Sequence, residues 1–284
     1  MGQIGSGVGN PFRKAVYMSQ IDPTRVQITY ENHIAHVRLM RADKLNAVDQ
    51  GMIDAVIAAG QEVAVSEARV CVISGEGRAF CAGIDLASMG SIAQDPAERL
   101  EPRTHGDDTT NQWQEVAMVW TRVPIPVIAA LHGAVYGAGC QLALGADIRI
   151  AGPDLKMAVM EMKWGIVPDM GGMVLLPKLV RSDVLRRLTY TADPIGADQA
   201  LAWGMVTELA EDPLAAAMQL AEQIALKSPS GIRAAKRLIA YAESGASQTD
   251  VLMAESRAQS QLIGKPHQME VIAAQFGKRA AKFD

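Results

Sequence analysis

Hydrophobic positions fall into two regimes along this chain. Up to about residue 160, short apolar runs alternate with helical stretches; from about residue 172 the spacing is helical. Residues 26–30 and 34–40 alternate in polarity on either side of Glu31-Asn32-His33, which predicts a strand hairpin. Met52, Ile53, Val56, Ile57 and Val63 recur at helical spacing over 49–66, with Asp49 placed to cap the start. The continuous apolar runs 70–74 and 125–131 predict buried strands, and 147–150 and 156–159 predict shorter ones. Residues 111–122 and 138–146 predict helices. Residues 87–110 are polar, carry Pro96 and Pro102, and read as a mobile loop. Further helices are predicted at 172–180, 182–190, 197–203, 213–227, 229–243, 248–263 and 266–280. Strand–helix alternation followed by helices alone predicts an α/β core with a helical C-terminal appendage. The boundary between them is expected near residue 206, and no internal repeat is evident.

Composition narrows the class. The 284 residues suffice for one large domain or a domain with an appendage, and 49% apolar with 20% charged residues fits a soluble globular enzyme. The net charge is −4 with the basic residues dispersed, which disfavours a general nucleic-acid-binding surface. Cys71, Cys81 and Cys140 are too few, and oddly numbered, for a disulfide framework. They read as small buried hydrophobes in a reducing compartment, the cytoplasm. No C-x-x-C or His-rich cluster suggests a metal, and no apolar run reaches the ~18 residues of a membrane span. Residues 1–14 are Gly-rich without the apolar core of a signal peptide, so residues 1–22 are expected to be a disordered extension.

Two loops of small residues carry the chemistry. They are Gly77-Arg78-Ala79-Phe80-Cys81-Ala82-Gly83-Ile84-Asp85-Leu86 and His132-Gly133-Ala134-Val135-Tyr136-Gly137-Ala138-Gly139-Cys140-Gln141. Each follows a predicted buried strand, and small residues let a ligand approach the backbone. Two such loops can aim two backbone N–H groups at one point, which stabilises a developing oxyanion without a side chain. Close strand–helix packing is the alternative reason for Gly137-Ala138-Gly139. Neither loop meets G-x-G-x-x-G, and no Walker or G-x-S-x-G pattern occurs, which discounts dinucleotide, nucleotide and serine-hydrolase readings. The five histidines show no site spacing, and His132 reads as structural.

Two carboxylates, Glu161 and Asp169, stand eight residues apart in apolar surroundings. Burial raises a carboxyl pKa toward the range useful for acid–base work. The alternatives are an ion pair of Glu161 with Lys156 or Lys163, and an N-cap role for Asp169 on the helix after Gly172.

Four segments in order resemble the crotonase (enoyl-CoA hydratase/isomerase) superfamily over roughly residues 24–284. They are Arg41-Ala42-Asp43-Lys44-Leu45-Asn46-Ala47, Phe80-Cys81-Ala82-Gly83-Ile84-Asp85-Leu86, Gly137-Ala138-Gly139-Cys140, and Gly165-Ile166-Val167-Pro168 with Gly171-Gly172. The resemblance implies an α/β spiral of ββα turns over residues 23–205 and a helical trimerisation region over 206–284. It implies an acyl-CoA thioester substrate, a homotrimer or dimer of trimers, and no cofactor beyond the coenzyme A of the substrate. By position, the oxyanion donors would be the N–H groups of Ile84 and Ala138, and Glu161 falls on a catalytic glutamate. Coenzyme A contacts would come from Ala82, Ile84 and Asp85, with Lys44 and Lys278 for phosphates, unless these lysines are simply solvated. Ala87 stands where the family has a lysine. Met89, Trp113, Met118, Trp120, Trp164 and Met170 could line an acyl pocket, although Trp113 and Trp120 also suit a core.

Gln141 is the main departure, because hydratases of the family carry a glutamate there. A glutamine cannot ionise, though it could position water. Asp169 replaces a usual glycine, and dienoyl-CoA isomerases of the family pair a glutamate with an aspartate eight residues later. Those isomerases also carry a third acid at the position of Gln141. The resemblance therefore implies isomerisation of enoyl- or dienoyl-CoA first, weak hydration through Glu161 second, and a non-catalytic acyl-CoA-binding protein third.

Overall fold

A computed structural model describes residues 21–88, 100–105 and 108–283. Met89, most of the expected loop at 87–110 and residues 1–20 of the expected extension lie outside the described residues.

The chain opens with an antiparallel hairpin, β1 (Val26–Glu31) and β2 (Ile34–Leu39), in the register Val26↔Leu39 to Glu31↔Ile34. Asn32 and His33 turn it with positive φ of 49° and 64°. Helix α1 (Gln50–Val65) follows, its start capped by Asp49, which accepts from the Met52 N–H at 2.8 Å. Strand β3 (Val70–Gly75) then pairs parallel to β2. Helix α2 (Gln112–Arg122) carries a capping box between Asn111 and Gln114. After it come β6 (Val127–Leu131), β7 (Ala134–Tyr136), α3 (Ala138–Leu144), β8 (Ile148–Ala151) and β9 (Lys156–Ala158).

The main sheet runs in the order β1-β2-β3-β6-β8 and then β11 (Glu208–Leu209), parallel after the first hairpin. One face packs on α1 and α2 around Ile53, Phe80, Trp120 and Leu131. The other packs on α7 (Pro213–Ala225), where Ala217, Ala221 and Ala225 meet Val70, Val72, Ile128 and Ile150. Covering both faces is what makes the parallel strands read as continuous apolar runs. Small residues every fourth position let α7 lie close to the strands.

Four short strand pieces escape the hydrophobic pattern. Strands β4 (Arg103–His105) and β5 (Asp108–Thr110) form an antiparallel pair inside the stretch expected to be a loop. Its end is anchored where the Thr110 hydroxyl donates to the buried Glu115 carboxylate at 2.7 Å. Strands β10 (Ile195–Gly196) and β11 (Glu208–Leu209) interrupt the C-terminal region expected to hold helices alone. β11 extends the main sheet beside β8, so the chain passes residue 206 without leaving that sheet. Two- and three-residue strands are too short to display a period. Helices α4 (Gly172–Leu179), α5 (Ser182–Thr191), α6 (Ala197–Ala202), α8 (Pro229–Ala242), α9 (Gln248–Ser260) and α10 (Pro266–Phe276) complete the fold.

Asn46 joins the first motif to the first small-residue loop. It is fully buried with φ +54°, and its Oδ1 accepts from the Arg41 N–H at 2.8 Å. Its Nδ2 donates to the carbonyls of Glu76 and Ala79, both at 2.9 Å. Asn46→Ala strands these groups and loses the residue type that tolerates a left-handed backbone. The expected cost is about 3 kcal/mol, seen in thermal melts as a Tm lowered by roughly 10 °C.

Candidate active site

The two small-residue loops meet at the ends of β3 and β7. Cys81 forms an isolated parallel bridge with Val135, and Ile84 forms one with Val48. The contact is so close that side chains cannot enter it. A Cβ on Gly139 would lie 2.3 Å from the Cys81 carbonyl oxygen, and one on Gly83 would lie 2.8 Å from that of Tyr136. Gly139 thus serves packing, the alternative considered for this loop, whereas Gly137 is needed for its backbone, at φ +50° and ψ −115°.

This weld leaves two amides free. The Val48 N–H donates to the Gly83 carbonyl at 2.8 Å and the Asp85 N–H to the Val48 carbonyl at 2.9 Å, fixing the residues on either side of Ile84. Among the described residues the Ile84 N–H between them has no acceptor. The first backbone bond of α3 is donated by Gln141 to the Gly137 carbonyl at 2.9 Å, so the Ala138 N–H at the helix start is also free. Both residues line a cleft of about 170 Å³, as do Glu161, Asp169, Trp113 and Trp164.

Glu161 opens a short 3-10 turn, Glu161–Trp164, that follows β9 and ends at Gly165 with φ +72°. It is 6% exposed. Its Oε1 accepts from Gln141 Nε2 at 2.6 Å, while Oε2 is buried with no partner among the described residues. Lys156 and Lys163 are exposed and neither pairs with it. Asp169 does not cap α4, whose N-cap is Gly171 with no side-chain bond. Burial pushes both carboxyls above their usual range; for Glu161 the Gln141 bond opposes the rise, and the nearby Asp169 charge adds to it.

Gln141 is fully buried and does not line the cleft. Its Oε1 accepts from the N–H groups of Met170 and Gly172, each at 2.9 Å. The expectation that its amide faces substrate water is therefore not met in this structure. Asp85 also lies off the cleft lining: its carboxylate pairs with Arg41 at 2.7 Å, which holds its pKa down. Arg41 also reaches Asp49, which pairs with Arg25 at 2.8 Å, so this chain of charges staples the first motif to the loop. Ala82 lines the cleft, and its N–H donates to the carbonyl of Leu45, next to the exposed Lys44. Lys278 follows α10, exposed, with φ +47° and outside the cleft lining.

Of the aromatic and Met candidates, Trp113, Trp164 and Met170 line the cleft. Trp120 is wholly core, and Met118 packs against the core near Gly171. Tyr136, Met160 and Ile166 also line the cleft, a role the sequence reading missed. Adjacency to Gly137, Glu161 and Gly165 was the signal available for them. His132 bridges the loops through Nε2 and the Gly77 carbonyl at 3.0 Å, the structural part expected of it. All three cysteines are free and buried, and burial pushes their thiols well above the ordinary range. Among the described residues no cluster of His, Cys, Asp and Glu could hold a metal ion, and no helix is long and apolar enough to cross a membrane.

Comparison with known proteins now decides the family. The family described as enoyl-CoA hydratase/isomerase matches residues 29–284. The chain belongs to the enoyl-CoA hydratase/isomerase family. The mitochondrial Delta(3,5)-Delta(2,4)-dienoyl-CoA isomerase of Rattus norvegicus is 34% identical over 224 residues, covering 76% of this chain and 68% of that protein. Crotonyl-CoA hydratase of Syntrophomonas wolfei is 32% identical over 263 residues, covering 89% and 95%. Among solved structures, an enoyl-CoA hydratase from Polaromonas sp. JS666 superposes with a TM-score of 0.81 at 26% identity, covering 91% of this chain and 99% of that one. The α/β fold and the enzyme class expected from the four motifs are those of this family. Both a hydratase and an isomerase stand among the relatives of this enoyl-CoA hydratase/isomerase, so family alone does not choose the reaction.

The raised pKa of Asp169 carries a stability cost with a definite sign. Its folded pKa lies above the unfolded one, so the cost is absent below about pH 4 and fully present above the raised folded pKa. Asp169→Asn removes it. Thermal melts are expected to show the variant more stable than wild type at pH 8, with the difference vanishing near pH 4.

Proposed function

We propose that this enzyme isomerises the double bonds of an enoyl- or dienoyl-CoA thioester by proton transfer. The observation that carries the reading is the pair Glu161 and Asp169, both pushed up by burial and both lining one apolar cleft beside two free amides. In this scheme the Ile84 and Ala138 N–H groups hold the thioester oxygen. One carboxylate takes a proton from a substrate carbon, and the C–H electron pair moves into the enolate, whose charge rests on that oxygen. The second carboxyl gives its proton to a carbon further along the conjugated system, and the electrons return to form the shifted double bond. One carboxyl has gained a proton and the other has lost one, so exchange with solvent resets the pair. Similarity to the dienoyl-CoA isomerases supports this reading.

Hydration of 2-trans-enoyl-CoA through Glu161 is the second reading, favoured by the similarity to crotonyl-CoA hydratase along 89% of the chain. Because residue 141 is a glutamine, which cannot ionise, that reaction would rest on Glu161 alone at the two positions where family hydratases carry glutamates. Lys44 and Lys278 would serve coenzyme A phosphates, Lys278 from a neighbouring subunit, and Ala82, Ile84 and Asp85 would belong to the nucleotide end of the same site. No cofactor other than the substrate's coenzyme A is required. We place the protein in the cytoplasm as a homotrimer or dimer of trimers. Ile263, Met269 and Phe276, which are 61%, 51% and 88% exposed in the single chain, supply apolar surface for such contacts. Light scattering is expected to return three or six times the 30.3 kDa chain mass.

Paired spectrophotometric assays separate the reactions. With 3,5-dienoyl-CoA, the 2,4-dienoyl chromophore is expected to grow, while 2-trans-enoyl-CoA loses its absorbance slowly or not at all. Glu161→Gln is expected to lower kcat at least 10³-fold and Asp169→Asn about 10²-fold. Fast hydration with an Asp169→Asn variant as active as wild type would establish the second reading instead.

A further inference from the structure

Gln141 occupies a position that the proton transfer does not use directly, yet its side chain bonds both Glu161 and the segment after Asp169. It is wholly buried, off the cleft, and one turn along the same seven-residue helix that begins with the Ala138 N–H. Two N–H donors, Met170 and Gly172, converge on Oε1 at 2.9 Å, which requires the carbonyl end of the amide to face them. The NH2 end must then face Glu161, and it donates to Oε1 at 2.6 Å. A Cβ on Gly172 would come within 2.7 Å of Gln141 Oε1, so the glycine is needed for this approach.

We propose that Gln141 is a positioning residue that locks Glu161 and the segment carrying Asp169 into one frame and leaves Glu161 Oε2 as the oxygen that exchanges a proton with the substrate. The inference rests on the proton-transfer reading for its kinetic consequence, and on geometry alone for the lock. Glu161 has two oxygens, one occupied by Gln141 and one without a partner among the described residues, on a side chain that lines the cleft. A neutral donor on Oε1 holds the carboxylate in place without adding a second negative charge. Met170 and Gly172 flank the turn just after Asp169, so the same amide fixes where that carboxyl enters the cleft. The titratable groups around Gln141 are Glu161, Asp169 and the Cys140 thiol. Burial keeps that thiol neutral, and the buried Arg149 lies near it on β8.

The test uses Gln141→Glu and Gln141→Met in the full-length enzyme. Gln141→Glu keeps the acceptor for the two N–H groups but sets an oxygen against Glu161 Oε1, so the two carboxyls must share a proton. The acidic limb of the kcat profile is expected to move up by at least one pH unit, with kcat at pH 7 down at least tenfold and KM changed less than threefold. Gln141→Met keeps the length but drops all three bonds, and is expected to lower kcat about 100-fold with little change in KM. Wild-type kcat and an unmoved acidic limb in both variants would overturn the proposal. A second readout is independent of the reaction catalysed. The Tm of Gln141→Glu is expected to fall between pH 5 and 8 more steeply than that of wild type, and adding Glu161→Gln is expected to cancel the excess fall. Coupling in this cycle without dienoyl isomerisation by wild type would leave the lock standing and the isomerase reading refuted. Absence of coupling would refute the lock even in an active isomerase.

Discussion

The site depends on one backbone-to-backbone contact. Two strand ends approach so closely that Gly83 and Gly139 admit no Cβ, and the approach leaves the Ile84 and Ala138 N–H groups without acceptors among the described residues beside one cleft. An unpaired amide is normally costly. Here two of them are tolerated because the parallel strands behind them, buried on both faces, leave the loops little room to rearrange. Asn46, with three bonds to backbone groups, and the Arg25–Asp49–Arg41–Asp85 chain of charges hold the first loop against the second.

The cleft then treats its carboxyls as the fold treats its amides, by withholding water. Desolvation favours the protonated form, so Glu161 and Asp169 are kept nearer the pH at which a proton can be both taken and given. Among the described residues no cation pairs with either, although Lys156 and Lys163 are close in sequence to Glu161. An ion pair would have restored an ordinary, strongly ionised carboxylate. A single glutamine amide aligns the pair instead, and it does so from behind the cleft wall.

Much of the architecture is legible in the pattern of side chains. The helix capped by Asp49, the helix at 111–122, the longer apolar strands and the C-terminal helices follow from period, caps and Gly or Pro punctuation, all of which act within a few residues. The two-residue strands β10 and β11 do not, because they exist only through partners distant in sequence. β11 is a strand because β8 lies beside it, not because Glu208 and Leu209 prefer to be one.

The same division holds in the site. The sequence by itself determined the two small-residue loops, the apolar setting of Glu161 and Asp169, and the family these motifs carry, since composition and spacing express them directly. Only the tertiary structure decided that Gln141 turns its amide inward to Glu161 and two N–H groups, that Asp85 is held by Arg41, and that Trp120 belongs to the core while Trp113 lines the cleft. Each of those outcomes is a choice of hydrogen-bond or packing partner across many residues. A residue's type limits the bonds it can make, and the fold alone determines which groups are near enough to make them.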